Sequence, residues 1–126
     1  MKVLFDTNVV LDVMLDRYPF SDNAAKLISY VENGQIIGFI AATTITTINY
    51  IAEKVIGKKK AITEIEKLLI IFDIAPINKN VLKGALKLEF KDFEDAVLNE
   101  AGNQANVEVI VTRNTKDFKT AALPEI

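Results

Sequence analysis

The chain contains no cysteine and no histidine among its 126 residues. The first absence excludes disulfides, thiolate nucleophiles and zinc sites built on sulfur. The second removes imidazole acid–base chemistry, and with it any Ser-His-Asp triad. Catalysis by this chain must use carboxylates, lysine, tyrosine, hydroxyls, backbone groups or a bound metal. Long apolar runs are also missing. None approaches the length of a membrane span, so no transmembrane helix is expected. The opening Met-Lys-Val-Leu-Phe-Asp meets an acid at position 6, too early for the apolar region of a secretory signal. The expectation is a cytoplasmic protein, and the lack of cysteine suits a reducing compartment. No repeat, linker or low-complexity segment interrupts the chain.

Hydrophobic residues make up 50% of the sequence, enough for a core, and charged residues 25%. The length fits one domain spanning residues 1–126. The net charge of −2 argues against a large electrostatic footprint for nucleic acid, although an acidic site that takes a cation would mask local basic patches in that total. Lys58-Lys59-Lys60 is the tight basic run and reads as a solvated turn between helices. Arg17 and Arg113 are the only arginines. The guanidinium fork suits phosphate, but a surface ion pair is the more frequent fate.

Lys2 to Phe5 reads as a first strand, followed by a helical turn or two over Val9 to Leu15. Ser21 is the expected cap of a helix from Asp22 to Glu32, with Gly34 as its stop. Ile36 to Ala41 is a second strand. Thr43 or Thr44 is expected to cap a helix to about Ile56, with Gly57 past its end. Lys58 to Ile71 is a fourth helix, and Phe72 to Ile77 a third strand. Asn80 opens a short helix through Leu88, and Asp92 caps another from Phe93 to Ala105. Val107 to Thr112 is a fourth strand, and the tail after Asp117 could add a short edge strand. Alternating strands and helices predict an α/β fold: a central parallel sheet of four or five short strands with helices on both faces.

Four short stretches place acids beside those strands and helix starts. They are Phe5-Asp6-Thr7-Asn8, Asp92-Phe93-Glu94-Asp95, Val111-Thr112-Arg113-Asn114 and Asp117-Phe118. Ligands of open parallel sheets sit beyond the carboxyl ends of the strands, where these residues can converge. Acids gathered there are costly unless a cation holds them, and hard oxygen ligands suit a divalent metal. Each piece also has a plainer reading. Asp6 and Asn8 explain a turn and a helix cap, Asp92 an N-cap, and Asp95 an acid favoured by the helix dipole. Asn114 and Asp117 could form a turn. Glu94 and Glu100 read as solvated, and Asp12 and Asp16 as surface decoration of the first helix.

Taken in order, Val3-Leu4-Phe5-Asp6-Thr7-Asn8, Asp92-Phe93-Glu94-Asp95-Ala96 and Val111-Thr112-Arg113-Asn114-Thr115-Lys116-Asp117-Phe118 resemble the PIN-domain family. These are small metal-dependent ribonucleases that include the VapC toxins of toxin–antitoxin pairs. The resemblance spans nearly the whole chain. It implies that Asp6, Asp95 and Asp117 are catalytic acids around a metal, Mg²⁺ or Mn²⁺, with Asn8, Thr112 and Asn114 in support. It also implies an RNA substrate, a possible antitoxin partner and a homodimer formed through helices, with the apolar stretch Ile62 to Ile71 as one candidate surface. The family usually carries a further acid on the helix after the second strand. The matching position here is Thr47, a departure, and Asp92 is the nearest candidate to replace that charge at the metal.

The chemistry is coherent with that resemblance. Phosphodiester cleavage needs an activated water and cover for charge on the phosphate, and Mg²⁺ or Mn²⁺ supplies both. Mg²⁺ keeps several waters and takes one or two carboxylates, so three acids suffice for one ion. The competing expectation, motivated by Thr47, is a catalytically degenerate member that binds RNA or protein and cuts nothing. Phosphoryl chemistry on another α/β scaffold is a third class. A haloacid-dehalogenase phosphatase wants a second acid where Asn8 stands. A receiver domain wants an Asp at the end of the third strand, which here reads Ala75-Pro76-Ile77.

Overall fold

The computed structural model describes residues 1–113. Its elements run β1 (Lys2–Phe5), α1 (Thr7–Met14), α2 (Ser21–Glu32), β2 (Ile37–Ala41), α3 (Ala42–Ile56), α4 (Lys58–Ile71), β3 (Asp73–Ala75), α5 (Lys79–Ala85), α6 (Phe93–Gln104) and β4 (Val109–Val111). Among the described residues four strands form one sheet, ordered β3-β2-β1-β4, with every pairing parallel. The expected alternating α/β architecture is therefore present. The tail after Asp117, read as a possible edge strand, lies outside the described residues.

Alternation along β1 divides the core. Val3 and Phe5 point to one face with α1, α2, Ile48 of α3 and Leu68 of α4. Leu4 points to the other, against Val81 and Ala85 of α5 and Ala96, Val97 and Ala101 of α6. The strands are buried on both faces, which is why they read as short continuous apolar runs. The chain winds from β1 out to β2 and β3. It then returns across α5 and α6 to place β4 on the other side of β1. This reversal makes the β1–β4 boundary the topological switch point, where ligands of open α/β sheets are held.

Local differences from expectation have local causes. Ala41 ends β2 and leads directly into α3 with no side-chain cap, so Thr43 and Thr44 lie inside that helix. The Lys58-Lys59-Lys60 run is the first turn of α4, with all three side chains exposed, rather than an interhelical turn. Asn78 caps α5, accepting from the Val81 N–H at 3.0 Å, two residues before the expected start at Asn80. Helix α4 is only partly core. Ala61 and Leu68 are buried, while Ile62, Leu69 and Ile70 are exposed, Ile70 at 82%. No helix among the described residues is long and apolar enough to cross a membrane.

Candidate active site at the carboxyl edge of the sheet

Asp6 is the first residue past β1 and the N-cap of α1. Its backbone N–H still belongs to the sheet, donating to Val111 of β4 at 3.0 Å. Its side chain faces two donors. Oδ1 accepts from the Thr7 N–H at 2.7 Å, as N-cap carboxylates do. Oδ2 accepts from the Thr112 hydroxyl at 2.8 Å. Thr112 is buried immediately after β4, so both sides of the switch point contribute to one carboxylate.

Asp95 is the third residue of α6 and is half-buried. Helix α6 leads into β4, which runs parallel to β1. The helix must therefore run back from the carboxyl edge of the sheet, and its first turn lies at that edge. Ala96, the next residue, packs in the same cluster as Leu4 of β1. Asp95 thus belongs to the end of the sheet that carries Asp6. Asp92 caps α6 through a 2.9 Å bond from the Glu94 N–H, and its side chain is exposed. Asn114 and Asp117 lie outside the described residues. Among the described residues no three acids cluster as a metal-holding group.

The donor set suits a hard cation at Asp6. The carboxylate is oriented by a hydrogen bond to each oxygen. Ligating carboxylates are held by such outer partners. Neither thiolate nor imidazole is available in the sequence, and the acids supply oxygen donors, the set favoured by Mg²⁺ and Mn²⁺.

Asn8 is exposed on the first turn of α1, where both its backbone and side-chain oxygens accept from Arg17 Nη2, at 3.1 and 3.2 Å. Arg17 leads to the residue that sequence reasoning misplaced. Asp12, expected on the solvent face of α1, is 1% exposed. Arg17 Nε lies 2.9 Å from its Oδ1, and Arg113 Nε 2.9 Å from its Oδ2. Arg113 also donates to Oδ1 at 3.2 Å, and its guanidinium sits 3.9 Å over the Phe20 ring. Both arginines of the chain thus converge on one buried carboxylate. A signal was available: Asp12 is three residues after Val9, on its face of the helix, and Val9 is core.

Thr47, standing where an acid is usual, is half-buried and donates to the Thr43 carbonyl at 3.2 Å. It lines a cavity of about 320 Å³ between α3 and the first turn of α6, together with Thr43, Thr46, Phe93 and Glu94. The carboxylate in that lining is Glu94 rather than Asp92. Asn99, one turn after Asp95 on α6, is fully buried, a polar position the sequence pattern did not single out.

The chain is similar to known proteins in sequence and in fold. Ribonuclease VapC1 of Aquifex aeolicus is 28% identical over 122 residues, covering 93% of this chain and 83% of the relative. A DNA-bound VapBC structure from Salmonella typhimurium superposes with a TM-score of 0.76 at 13% identity, covering 100% of this chain and 97% of that one. A toxin–antitoxin complex from Klebsiella pneumoniae gives 0.74 at 24% identity, with 98% and 95% covered. The PIN domain family model matches residues 2–116. With its acid after β1, its threonine after β4 and that match along nearly its full length, the chain belongs to the PIN domain family.

Proposed function

We propose that this protein is a divalent-metal-dependent endoribonuclease and the toxin of a toxin–antitoxin pair, acting in the cytoplasm. The observation that carries the reading is the Asp6 carboxylate, fixed at the switch point by the Thr7 N–H and the Thr112 hydroxyl. Family membership and similarity to a protein named as a ribonuclease support it.

In this reading Asp6, Asp95 and Asp117 hold Mg²⁺ or Mn²⁺. Once bound, the ion supplies an acidified water and covers charge on the phosphate. The chain's own contribution is positioning. Thr112 and the Thr7 N–H hold the plane of the Asp6 carboxylate, with Asn8 and Asn114 as supporting residues in this reading. An antitoxin would bind the protein and block the crevice. The exposed apolar residues of α4, Ile62, Leu69 and Ile70, offer a surface for self-association. The test is cleavage of structured and single-stranded RNA by the purified protein with Mn²⁺, Mg²⁺ or a chelator. Cleavage that needs the ion supports the reading. Equal cleavage with chelator contradicts metal dependence, and no cleavage under any condition contradicts the enzyme.

One observation favours a second reading. The Thr47 hydroxyl bonds within its own helix at the position where an acid is usual. A degenerate member that binds RNA or protein without cutting would then show no Mn²⁺ heat by calorimetry, even with nucleotide present.

A further inference from the structure

We infer that Asp12, a residue outside the acidic set, is a positioning residue of the Asp6 site, acting through both arginines of the chain. The inference rests on the reading of Asp6 as a metal-holding acid. Four side-chain links join six residues, and the chain itself connects Thr112 to Arg113 and Asp6 to Asn8. Thr112 donates to Asp6, and its chain neighbour Arg113 reaches Asp12 through Nε at 2.9 Å and Nη2 at 3.2 Å. Asp12 pairs with Arg17 at 2.9 Å, and Arg17 donates twice to Asn8, two residues after Asp6.

The links add side-chain ties to segments that the sheet already joins through the Asp6 N–H and the Val111 carbonyl. Asn8 lies on α1, and Thr112 and Arg113 follow β4, more than 100 residues later in the sequence. A carboxylate that is 1% exposed would be costly unless paired. Two guanidiniums pair with it, and each arginine side chain is about one-third exposed. Arginine is suited to this because its planar fork holds direction as well as charge. The orientation of Asp6 therefore depends on Asp12 through Arg113 and Thr112 on one side and through Arg17 and Asn8 on the other.

The test uses the full chain with three variants: Asp12→Asn, which keeps shape and removes charge, and Arg17→Lys and Arg113→Lys, which keep charge and remove the fork. Mn²⁺ affinity by calorimetry, kcat and KM on RNA, melting temperature, and the NMR resonances of the Thr7 amide and the Asn8 side-chain amide are measured on each. The expected result is a loss of roughly 10- to 100-fold in Mn²⁺ affinity and kcat, with KM for RNA little changed. The Asp12→Asn/Arg113→Lys double variant should be no worse than Asp12→Asn alone, because the Arg113 arm runs through Asp12. The Thr7 and Asn8 resonances should move. A lower melting temperature with wild-type Mn²⁺ affinity, kcat and resonances would make Asp12 purely structural and overturn the inference. A raised KM with unchanged kcat and Mn²⁺ affinity in Arg113→Lys would also overturn it, in favour of direct RNA contact by the arginine. If Asp12→Asn does not fold, the two arginine variants decide by the same criteria. If the wild type neither binds Mn²⁺ nor cuts RNA, the ribonuclease reading fails by itself. The Thr7 and Asn8 resonances then still decide, shifted for positioning by Asp12 and unshifted against it.

Discussion

The hydroxyl of Thr112 donates to Asp6 Oδ2 at 2.8 Å across 106 residues of sequence. It is the side-chain counterpart of the sheet pairing beneath it, where Phe5 of β1 stands opposite Val111 of β4. Each residue is the first past its strand, so parallel register brings the two side chains to the same level. The fold thereby converts a strand pairing into a fixed direction for one carboxylate.

Removing that bond should cost metal affinity as well as stability. Thr112→Val keeps the branched shape and loses the donor. The expected stability loss is about 1.5–3 kcal/mol, the net worth of a hydrogen bond to a charged group. The expected loss of Mn²⁺ affinity is roughly 10- to 100-fold, and Thr112→Ser should restore most of it. Calorimetry on the three proteins checks this. Unchanged affinity in Thr112→Val would separate Thr112 from the site.

Thr47 offers a gain-of-function experiment. Its side chain lines the cavity shared with Phe93 and Glu94, the two residues before Asp95 in the first turn of α6. Restoring an acid with Thr47→Glu should raise Mn²⁺ affinity by about tenfold, or about 1.4 kcal/mol. A parallel Thr46→Glu variant, on the exposed side of the same turn, should leave affinity within twofold of wild type, roughly 0.4 kcal/mol. Titration with Mn²⁺ reads both.

Gly38 is required by packing rather than by backbone freedom. A Cβ on this β2 residue would stand 2.6 Å from the Phe72 ring and 2.9 Å from Val31 Cγ1. Phe72 cannot retreat easily, because it is buried and meets Phe5 edge to face with centroids 5.2 Å apart. Gly38→Ala should therefore destabilise by about 1–3 kcal/mol, despite the smaller entropy loss of alanine. Urea unfolding measures this, and a stabilised variant would contradict the packing argument.

Helix α5 should depend on its cap. It has seven residues, and Asn78 Oδ1 accepts from the Val81 N–H at its start. Asn78→Ala is expected to cost about 1 kcal/mol. Asn80→Ala, inside the helix, should fall within about 0.5 kcal/mol of wild type, as surface substitutions usually do. Equal losses in both variants would contradict the observed cap.

The periodic parts of the molecule were readable from residues alone. β1 is readable because the apolar run Val3-Leu4-Phe5 precedes an acid, and α4 because its apolar spacing is helical between Gly57 and Phe72. The Asp92 cap and the place of Asp6 at a strand end are legible because both have local chemistry. The cap of α1, however, is Asp6 rather than the expected Asn8, which lies inside the helix. What escaped depended on distant partners. Asp12 looks like surface decoration until Arg17 and Arg113 are seen on it, and one of those partners is 101 residues away. Thr43 and Thr44 looked like caps because a strand running straight into a helix leaves no sequence mark. The lysine run looked like a turn because three cations are disfavoured at a helix start, where the dipole prefers acids. The buried Asn99 carries no local signature either.

RNA cleavage in Mn²⁺, with wild type, Asp6→Asn and Asp95→Asn compared at equal folded concentration, tests the central claim most directly. The account predicts cleavage by wild type and a loss of at least about 100-fold in each variant, roughly 2.7 kcal/mol of transition-state stabilisation. Equal activity in all three would contradict it.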